Sequence, residues 1–333
     1  MQTYNIYCYL SSRTYVRRFS LNIVSLFSGA GGLDCGLIQA GHKILWANDI
    51  DEDAVATYKE NIGNHIVCAD IKDISTDDIP NADVVVGGFP CQGFSMANMQ
   101  RTVDDKRNLL YRFFYNVIKT KQPKYFIAEN VRGILSLGKG AVIEKIVKDF
   151  ENAGYIVNVN KINMADYGVP QNRIRVIITG KRTDLDENHN FIMPKATYDK
   201  NGKNGLKKWK SIKEELDRFP DPDMPNNTIN HTYSKYRVVV RDFTGHRMTD
   251  PDKPCPTILA RGNGGGGVVA IPHYNGKRRL TIRESAAIQT FPDNFHFIGA
   301  QNSCYRQVGN AVPCLFGKLL GLELKRLEEL DTI

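Results

Sequence analysis

A cysteine stands where a buried strand should end. Asp83-Val84-Val85-Val86 is a β-branched apolar run of the kind that forms such a strand, and Gly87-Gly88-Phe89-Pro90-Cys91-Gln92 follows it directly. In open α/β sheets, ligands and chemistry gather beyond the C-terminal ends of the strands. Cys91 is therefore a candidate nucleophile, and Pro90 fixes one dihedral of its approach. Alone, such a cysteine could equally be a small packed residue. Other residue types bear on the choice. Glu129 ends a later strand and could lie close to Cys91. Arg173 and Arg175, in Gln171-Asn172-Arg173-Ile174-Arg175, alternate by two at the start of a strand and so share a face. They are either a surface pair or, beside a thiol and a carboxyl, anion holders.

A second set suits a nucleoside. Phe27-Ser28-Gly29-Ala30-Gly31-Gly32-Leu33 is a glycine-rich turn from strand to helix, where backbone N–H groups can meet an anionic ligand group. It could hold a dinucleotide, S-adenosylmethionine or nothing. Asp49 could accept hydrogen bonds from ribose hydroxyls, and Asp70 from an adenine amino group. Either acid could instead be an N-cap. The glycine spacing departs from G-x-G-x-x-G, which counts against a nicotinamide dehydrogenase.

These residues need elements that place them together. Short apolar runs predict strands over 22–26, 43–47, 65–68, 83–86, 125–128, 155–160 and 174–179. Helical spacing predicts helices after the glycine turn to Ala40, through Ala54, Val55 and Tyr58, over 109–121, and over 141–153 with Gly154 capping the last. Strand–helix alternation predicts a doubly wound, mostly parallel α/β sheet. Every polar motif falls at the C-terminal end of a strand. The pattern breaks after Gly180. Residues 181–280 are rich in Lys, Asn, Asp, Pro and Gly, with four glycines at 264–267. A capping-box signature, Thr281-Ile282-Arg283-Glu284, then restarts a helix, and 315–330 reads as an amphipathic helix. The expected organisation is an extension over 1–20, a catalytic domain over 21–180, an inserted lobe over 181–280, and a return to the catalytic domain over 281–333.

Composition narrows the function. The 333 residues are 42% hydrophobic, enough for a sizeable core. No apolar run reaches the length of a bilayer span, and residues 1–20 lack the core and cleavage site of a signal peptide. Seven cysteines, widely spaced and without a C-x-x-C pair, favour a reducing compartment and argue against a disulfide framework or zinc site. The net charge of +8 is uneven, with +2 over residues 1–180 and +6 over 181–333. Seven lysines and one acid lie between Lys195 and Lys213. A basic second half on an enzyme-like first half points to a polyanion partner.

Six ordered motifs resemble the DNA (cytosine-5)-methyltransferases: Phe27 to Gly32, Pro90-Cys91-Gln92, Glu129-Asn130-Val131, Gln171 to Arg175, Arg279 to Glu284, and Gln307-Val308-Gly309-Asn310-Ala311-Val312-Pro313. The resemblance implies the S-adenosylmethionine-dependent, Rossmann-like fold with a smaller recognition lobe. It implies that Phe27 to Leu33, Asp49, Ile50, Asp70, Ile71, Pro90, Asn310 and Val312 bind S-adenosylmethionine, with no metal. Cys91 would be the nucleophile toward cytosine C6. Glu129 would hold and protonate N3, and Arg173 and Arg175 would lie near the base. Residues 92–108 would close over double-stranded DNA, with Gln92, Ser95 and Arg107 as contacts. The basic run makes Lys207 and Lys208 candidate DNA contacts from the recognition lobe, and Thr257 and Arg261 are either contacts there or structural loop residues.

The chemistry requires the cytosine to leave the stack. An adjacent cation such as Arg175 would help the thiol ionise. The implied setting is a monomer in the bacterial cytoplasm, serving a restriction–modification system with a cognate endonuclease. A relative that methylates RNA is the nearest alternative, and the 181–280 insert favours DNA. A non-catalytic DNA-binding protein on the same fold is opposed by the intact Cys91, Glu129, Arg173 and Arg175.

Overall fold

The computed structural model describes residues 19–89, 109–185, 189–232, 249–260 and 271–332. Pro90, Cys91, Gln92, Ser95, Arg107, Arg261, residues 1–18 and the glycines at 264–267 lie outside the described residues.

The first half alternates as its apolar spacing predicts. Strand β1 (Asn22–Leu26) leads to α1 (Gly32–Gln39), β2 (Lys43–Asp49) to α2 (Glu52–Asn61), then β3 (Ile66–Cys68) and β4 (Val84–Gly87). Helix α3 (Leu109–Lys121), β5 (Tyr125–Val131), α4 (Ala141–Asn152) and β6 (Tyr155–Asn163) follow. Gly154 has φ +93°, the left-handed end expected after α4. A two-residue strand, β7 (Gln171–Asn172), precedes the long β8 (Ile174–Arg182).

Seven strands form one sheet in the order β3-β2-β1-β4-β5-β8-β6. The pairs from β3 to β5 are parallel, whereas β8 runs antiparallel to both β5 and β6. A short connection joins β6 to β8, and without a crossover helix the chain can only return antiparallel. That return lengthens β5: Glu129, Asn130 and Val131 pair with Ile177, Val176 and Arg175, so the strand outlasts its apolar run. Pairing also carries β8 through Lys181 and Arg182.

Period-two alternation divides the core between the two faces of the sheet. Ile23, Val84, Val86, Ile127 and Ile177 pack with residues of α1, α2 and a long final helix, α8 (Cys314–Thr332). Val24, Leu26, Val85, Phe126, Ala128 and Val176 pack with α3 and α4. Helices α1 and α8 meet through small residues. A Cβ on Gly36 would lie 2.2 Å from the Cys314 carbonyl oxygen, and one on Gly317 would lie 2.7 Å from that of Leu33.

Between β8 and the return segment, regular structure is sparse. Strands β9 (Tyr198–Asp199) and β10 (Lys207–Lys208) pair with each other, and β11 (Cys255–Pro256) pairs with β7. Helix α5 (Ile212–Leu216) starts in a Ser211–Glu214 capping box. The capping box read at Thr281 and Glu284 opens α6 (Ile282–Ile288), and α7 (Gln301–Asn310) follows. A third apolar cluster joins Ile212, Leu216 and Ile258 to Leu280, Ile288 and Val308, and reaches Ala30 in the glycine turn. Among the described residues no helix is long and apolar enough to cross a membrane.

One buried acid underlies the glycine turn. Asp34, in the first turn of α1, is fully buried and accepts hydrogen bonds from Ser25 Oγ (2.7 Å) and Tyr58 Oη (2.8 Å). Burial outweighs both bonds and raises its pKa from 3.8 to about 6. An acid held above its unfolded value takes stability from the fold as pH rises between those two values. Replacing Asp34 by Asn removes that dependence. The stability of Asp34→Asn relative to the parent should rise by on the order of 1–3 kcal/mol between pH 4 and pH 7. Urea unfolding at both pH values measures this; an unchanged difference would show that the carboxylate does not resist ionisation.

Candidate active site

At the end of β1 the chain turns sharply, with Phe27, Gly29 and Gly31 all at positive φ (54°, 55° and 85°). Ser28 anchors the turn, its N–H and Oγ both donating to the Asn48 carbonyl at 2.9 and 3.1 Å. Gly31 is the N-cap of α1, and no side chain caps that helix. Its first-turn amides have no partners within the helix, which suits a ligand acceptor there. A Cβ on Gly31 would come within 2.3 Å of Ile62 Cδ1. Gly31 thus shapes the turn without lining the cleft beside it.

Asp49 ends β2 and is tied to that turn. Its Oδ2 accepts from Gly29 N–H at 2.7 Å and its Oδ1 from Asp51 N–H at 2.9 Å. The two carboxylate oxygens have four lone pairs between them, so acceptor capacity remains for a hydroxyl donor. Burial raises the Asp49 pKa despite these bonds. Ile50 is 64% exposed and lines the cleft, an apolar surface open to a flat ring. Asp70 caps the short turn after β3 and pairs with Lys72 Nζ at 3.1 Å. The Lys72 backbone N–H, more than its ammonium, holds the Asp70 carboxyl below the usual range. Ile71 is buried behind it. The return segment closes this end with Asn310, exposed at the end of α7, and with Val312, whose carbonyl crowds the Cα of Gly32.

The chemical end lies beyond β4 and β5. Gly87 pairs with Ala128, which sets Gly88 beside Glu129. The Phe89 carbonyl accepts from Asn130 Nδ2 at 3.0 Å, and Asn130 Oδ1 accepts from Val131 N–H at 2.9 Å. Phe89 is buried against Tyr111 and Phe114. Arg175 Nε is 2.8 Å from Glu129 Oε1. This is an ion pair without hydrogen-bond alignment, since that buried oxygen has no hydrogen-bond partner. An acceptor so placed at a cleft has capacity for a substrate proton.

The two arginines have different partners. Arg173, expected near the base with Arg175, is almost fully buried and donates to three main-chain carbonyls: Ile258 (3.0 Å), Gly309 (3.1 Å) and Ala311 (2.9 Å). Burial lowers its pKa, with Arg175 adding to the effect and Glu129 opposing it. Spacing alone predicted a shared face, and both arginines do border the cleft.

One cleft of about 890 Å³ takes in both ends. Phe27, Ser28, Gly29, Ala30, Gly32, Leu33, Asp49, Ile50, Asp70, Ile71, Asn310 and Val312 border it together with Glu129, Arg173 and Arg175. Lys207 and Lys208 are exposed on β10, away from it. Thr257 Oγ1 donates to the Asn172 carbonyl at 2.7 Å, tying β11 to β7. Sequence reasoning missed Asn48, whose Nδ2 donates to the Ala69 carbonyl (2.9 Å) and so links the glycine turn to the Asp70 turn. It also missed Arg306, a cleft residue paired with Asp51. The i, i+4 spacing of Arg306 and Asn310 was the available signal. Among the described residues no His, Cys, Asp and Glu cluster could hold a metal ion.

Residues 21–326 match the family of C-5 cytosine-specific DNA methylases. The Type II methyltransferase M.NgoFVII of Neisseria gonorrhoeae is 39% identical over 314 residues, covering 87% of this chain and 83% of that protein. The Type II methyltransferase M.BsuRI of Bacillus subtilis is 34% identical over 357 residues, covering 91% and 78%. Among solved structures, the S. pombe Dnmt2 methyltransferase aligns with a TM-score of 0.70 at 19% identity, covering 94% of this chain and all of that one. At that identity the likeness concerns the fold, which is the Rossmann-like methyltransferase sheet. With the family matched over almost the whole chain and relatives this similar along most of their length, the chain belongs to the C-5 cytosine-specific DNA methylases and is a DNA (cytosine-5)-methyltransferase.

Proposed function

We propose that this enzyme uses S-adenosylmethionine as methyl donor, binds it at the glycine-turn end of the cleft, and methylates a cytosine flipped out of double-stranded DNA, with Cys91 as nucleophile. The observation that carries this reading is the continuity of one cleft from Asp49 and Asp70 to Glu129 and Arg175. The residues present fit the cofactor. Asp49 keeps acceptor capacity for ribose hydroxyls, and Ile50 offers an exposed apolar face to adenine. The uncapped first turn of α1 faces the same space. When bound, the cofactor supplies an electrophilic methyl group.

The protein's own groups would then act on the ring. A thiolate at Cys91 adds to C6 and makes C5 nucleophilic. A proton from Glu129 at N3 offsets the charge that builds on the ring. After the methyl is transferred, loss of the C5 proton expels Cys91 as thiolate and restores the double bond, and N3 returns its proton to Glu129. Support for Cys91 comes from the anchored chain just before it: the Phe89 carbonyl is held by Asn130, beside the Glu129 that would act on the same ring. Arg175, paired with Glu129, would set a cation at this end of the cleft.

Residues 181–280 would form the target-recognition lobe on the catalytic domain, with Lys207 and Lys208 on its exposed face. The Type II relatives also suggest a cognate endonuclease for the same site. The RNA alternative has less support, because the matched family and these relatives are DNA-directed or Type II enzymes.

Three outcomes are expected. Cys91→Ser should abolish transfer of labelled methyl groups to DNA while DNA binding persists; normal turnover would remove Cys91 from its role. Asn130→Ala should lower kcat by about ten- to a hundredfold through misplacement of the Phe89–Cys91 chain. Its S-adenosylmethionine affinity should stay near that of the parent in calorimetry. An equal loss in both would mean that Asn130 supports the whole cleft. Charge reversal at Lys207 and Lys208 should weaken DNA binding and flatten its salt dependence, read as the slope of log K against log salt; an unaltered slope would place the DNA elsewhere.

A further inference from the structure

The mouth of the cleft is bridged by an ion pair. Arg306 Nε and Nη2 both reach Asp51 Oδ2, at 3.1 and 2.8 Å. The two oxygens of Asp51 divide their work: Oδ1 accepts from Asp53 and Ala54 N–H and starts α2. Ser303 Oγ, one turn earlier on α7, accepts from Arg306 Nη2 at 3.1 Å and orients the guanidinium. The bridge continues inward, because Asp51 N–H donates to Asp49 Oδ1 and Asp49 Oδ2 accepts from Gly29 N–H. A single string of bonds thus runs from α7 through the β2–α2 turn to the glycine turn. At its outer end, Asn310 stands one helical turn beyond Arg306 on the exposed side of α7.

Neutral polar bonds also join α2 to the return segment. Thr57 Oγ1 donates to Gln307 Oε1 at 2.6 Å, and Asn61 Nδ2 donates to the His296 carbonyl at 2.8 Å. Those bonds hold the elements together without the ion pair. Of these contacts to α2 among the described residues, only the Arg306–Asp51 pair has both partners bordering the cleft.

We infer that Arg306 and Asp51 are positioning residues: their ion pair sets the distance between the β2–α2 turn and the end of α7, and so governs how tightly S-adenosylmethionine is held. This inference rests on the cofactor reading above. Asp51→Asn preserves the cap on α2, since Asn caps as well as Asp, and removes the charge. Arg306→Gln removes the opposite charge, and Arg306→Lys keeps it without the fork.

Calorimetry with S-adenosylmethionine on the full chain, together with steady-state kinetics, tests the inference. Each charge-removing variant should raise the Kd and KM for S-adenosylmethionine by about three- to tenfold, with kcat at saturating cofactor lowered less than twofold. The Asp51→Asn, Arg306→Gln double variant should be no weaker than the worse single variant, the mark of a coupled pair. Arg306→Lys should fall between. Affinities within twofold of the parent, or single losses that multiply in the double variant, would overturn the inference. No S-adenosylmethionine binding by the unaltered chain would overturn the cofactor reading itself, a result distinct from either.

Discussion

The cleft depends on a buried guanidinium that, among the described residues, has no carboxylate in hydrogen-bond contact. Arg173 points its donors at the carbonyls of Ile258, Gly309 and Ala311, which belong to segments far apart in the chain. A charge taken out of water costs several kcal/mol unless its donors are met, and main-chain dipoles meet those of Nη1 and Nη2 here, though not that of Nε. The converse also holds. Without Arg173, three carbonyls would lose donors inside the protein, at about 1–3 kcal/mol for each one left unsatisfied. Gly309 and Ala311 flank Asn310, so the same guanidinium fixes the residue that closes the glycine-turn end of the cleft. A Cβ on Gly309 would fall 2.5 Å from the backbone of Leu259 and Ala260, so the segments Arg173 gathers are packed backbone to backbone.

Much of the fold was legible because it follows from hydrophobic period. The runs at 22–26 and 83–86 read as buried strands, and the apolar spacing over 109–121 read as a helix with one face to bury. The capping box at Thr281 and Glu284 marked the return of order after a long irregular stretch. What escaped was set by tertiary pairing. Polar residues at 129–131 hide the end of β5, since its continuation depends on β8 lying antiparallel beside it. Asn48, Arg306 and the tether from Asn130 to Phe89 escaped for a related reason. Each acts through a bond to a partner distant in sequence, and no local pattern predicts such a bond.

The candidate site was legible by residue type more than by role. Glycines, Asp49, Asp70, Glu129 and the paired arginines were visible as chemistry-bearing groups at strand ends. Their division of labour was not. Gly31 shapes the turn from behind while Gly29 and Gly32 face the cleft. Arg175 stays with Glu129, whereas Arg173 turns to main-chain carbonyls. Two arginines separated by one residue share a face in any strand, but only the packing around them decides which meets a ligand and which holds the walls.

Two kinds of force therefore build the enzyme. Apolar burial on both faces fixes the sheet and delivers strand ends to one edge, at a precision set by side-chain packing. Catalysis needs finer placement than that. Here it comes from side chains bonded to main-chain atoms of neighbouring loops: Asp49 to Gly29 and Asp51, Asn48 to Ala69, Asn130 to Phe89, and Arg173 to Gly309 and Ala311. Because each tether grips backbone, the loop it holds keeps its course whatever side chains it displays.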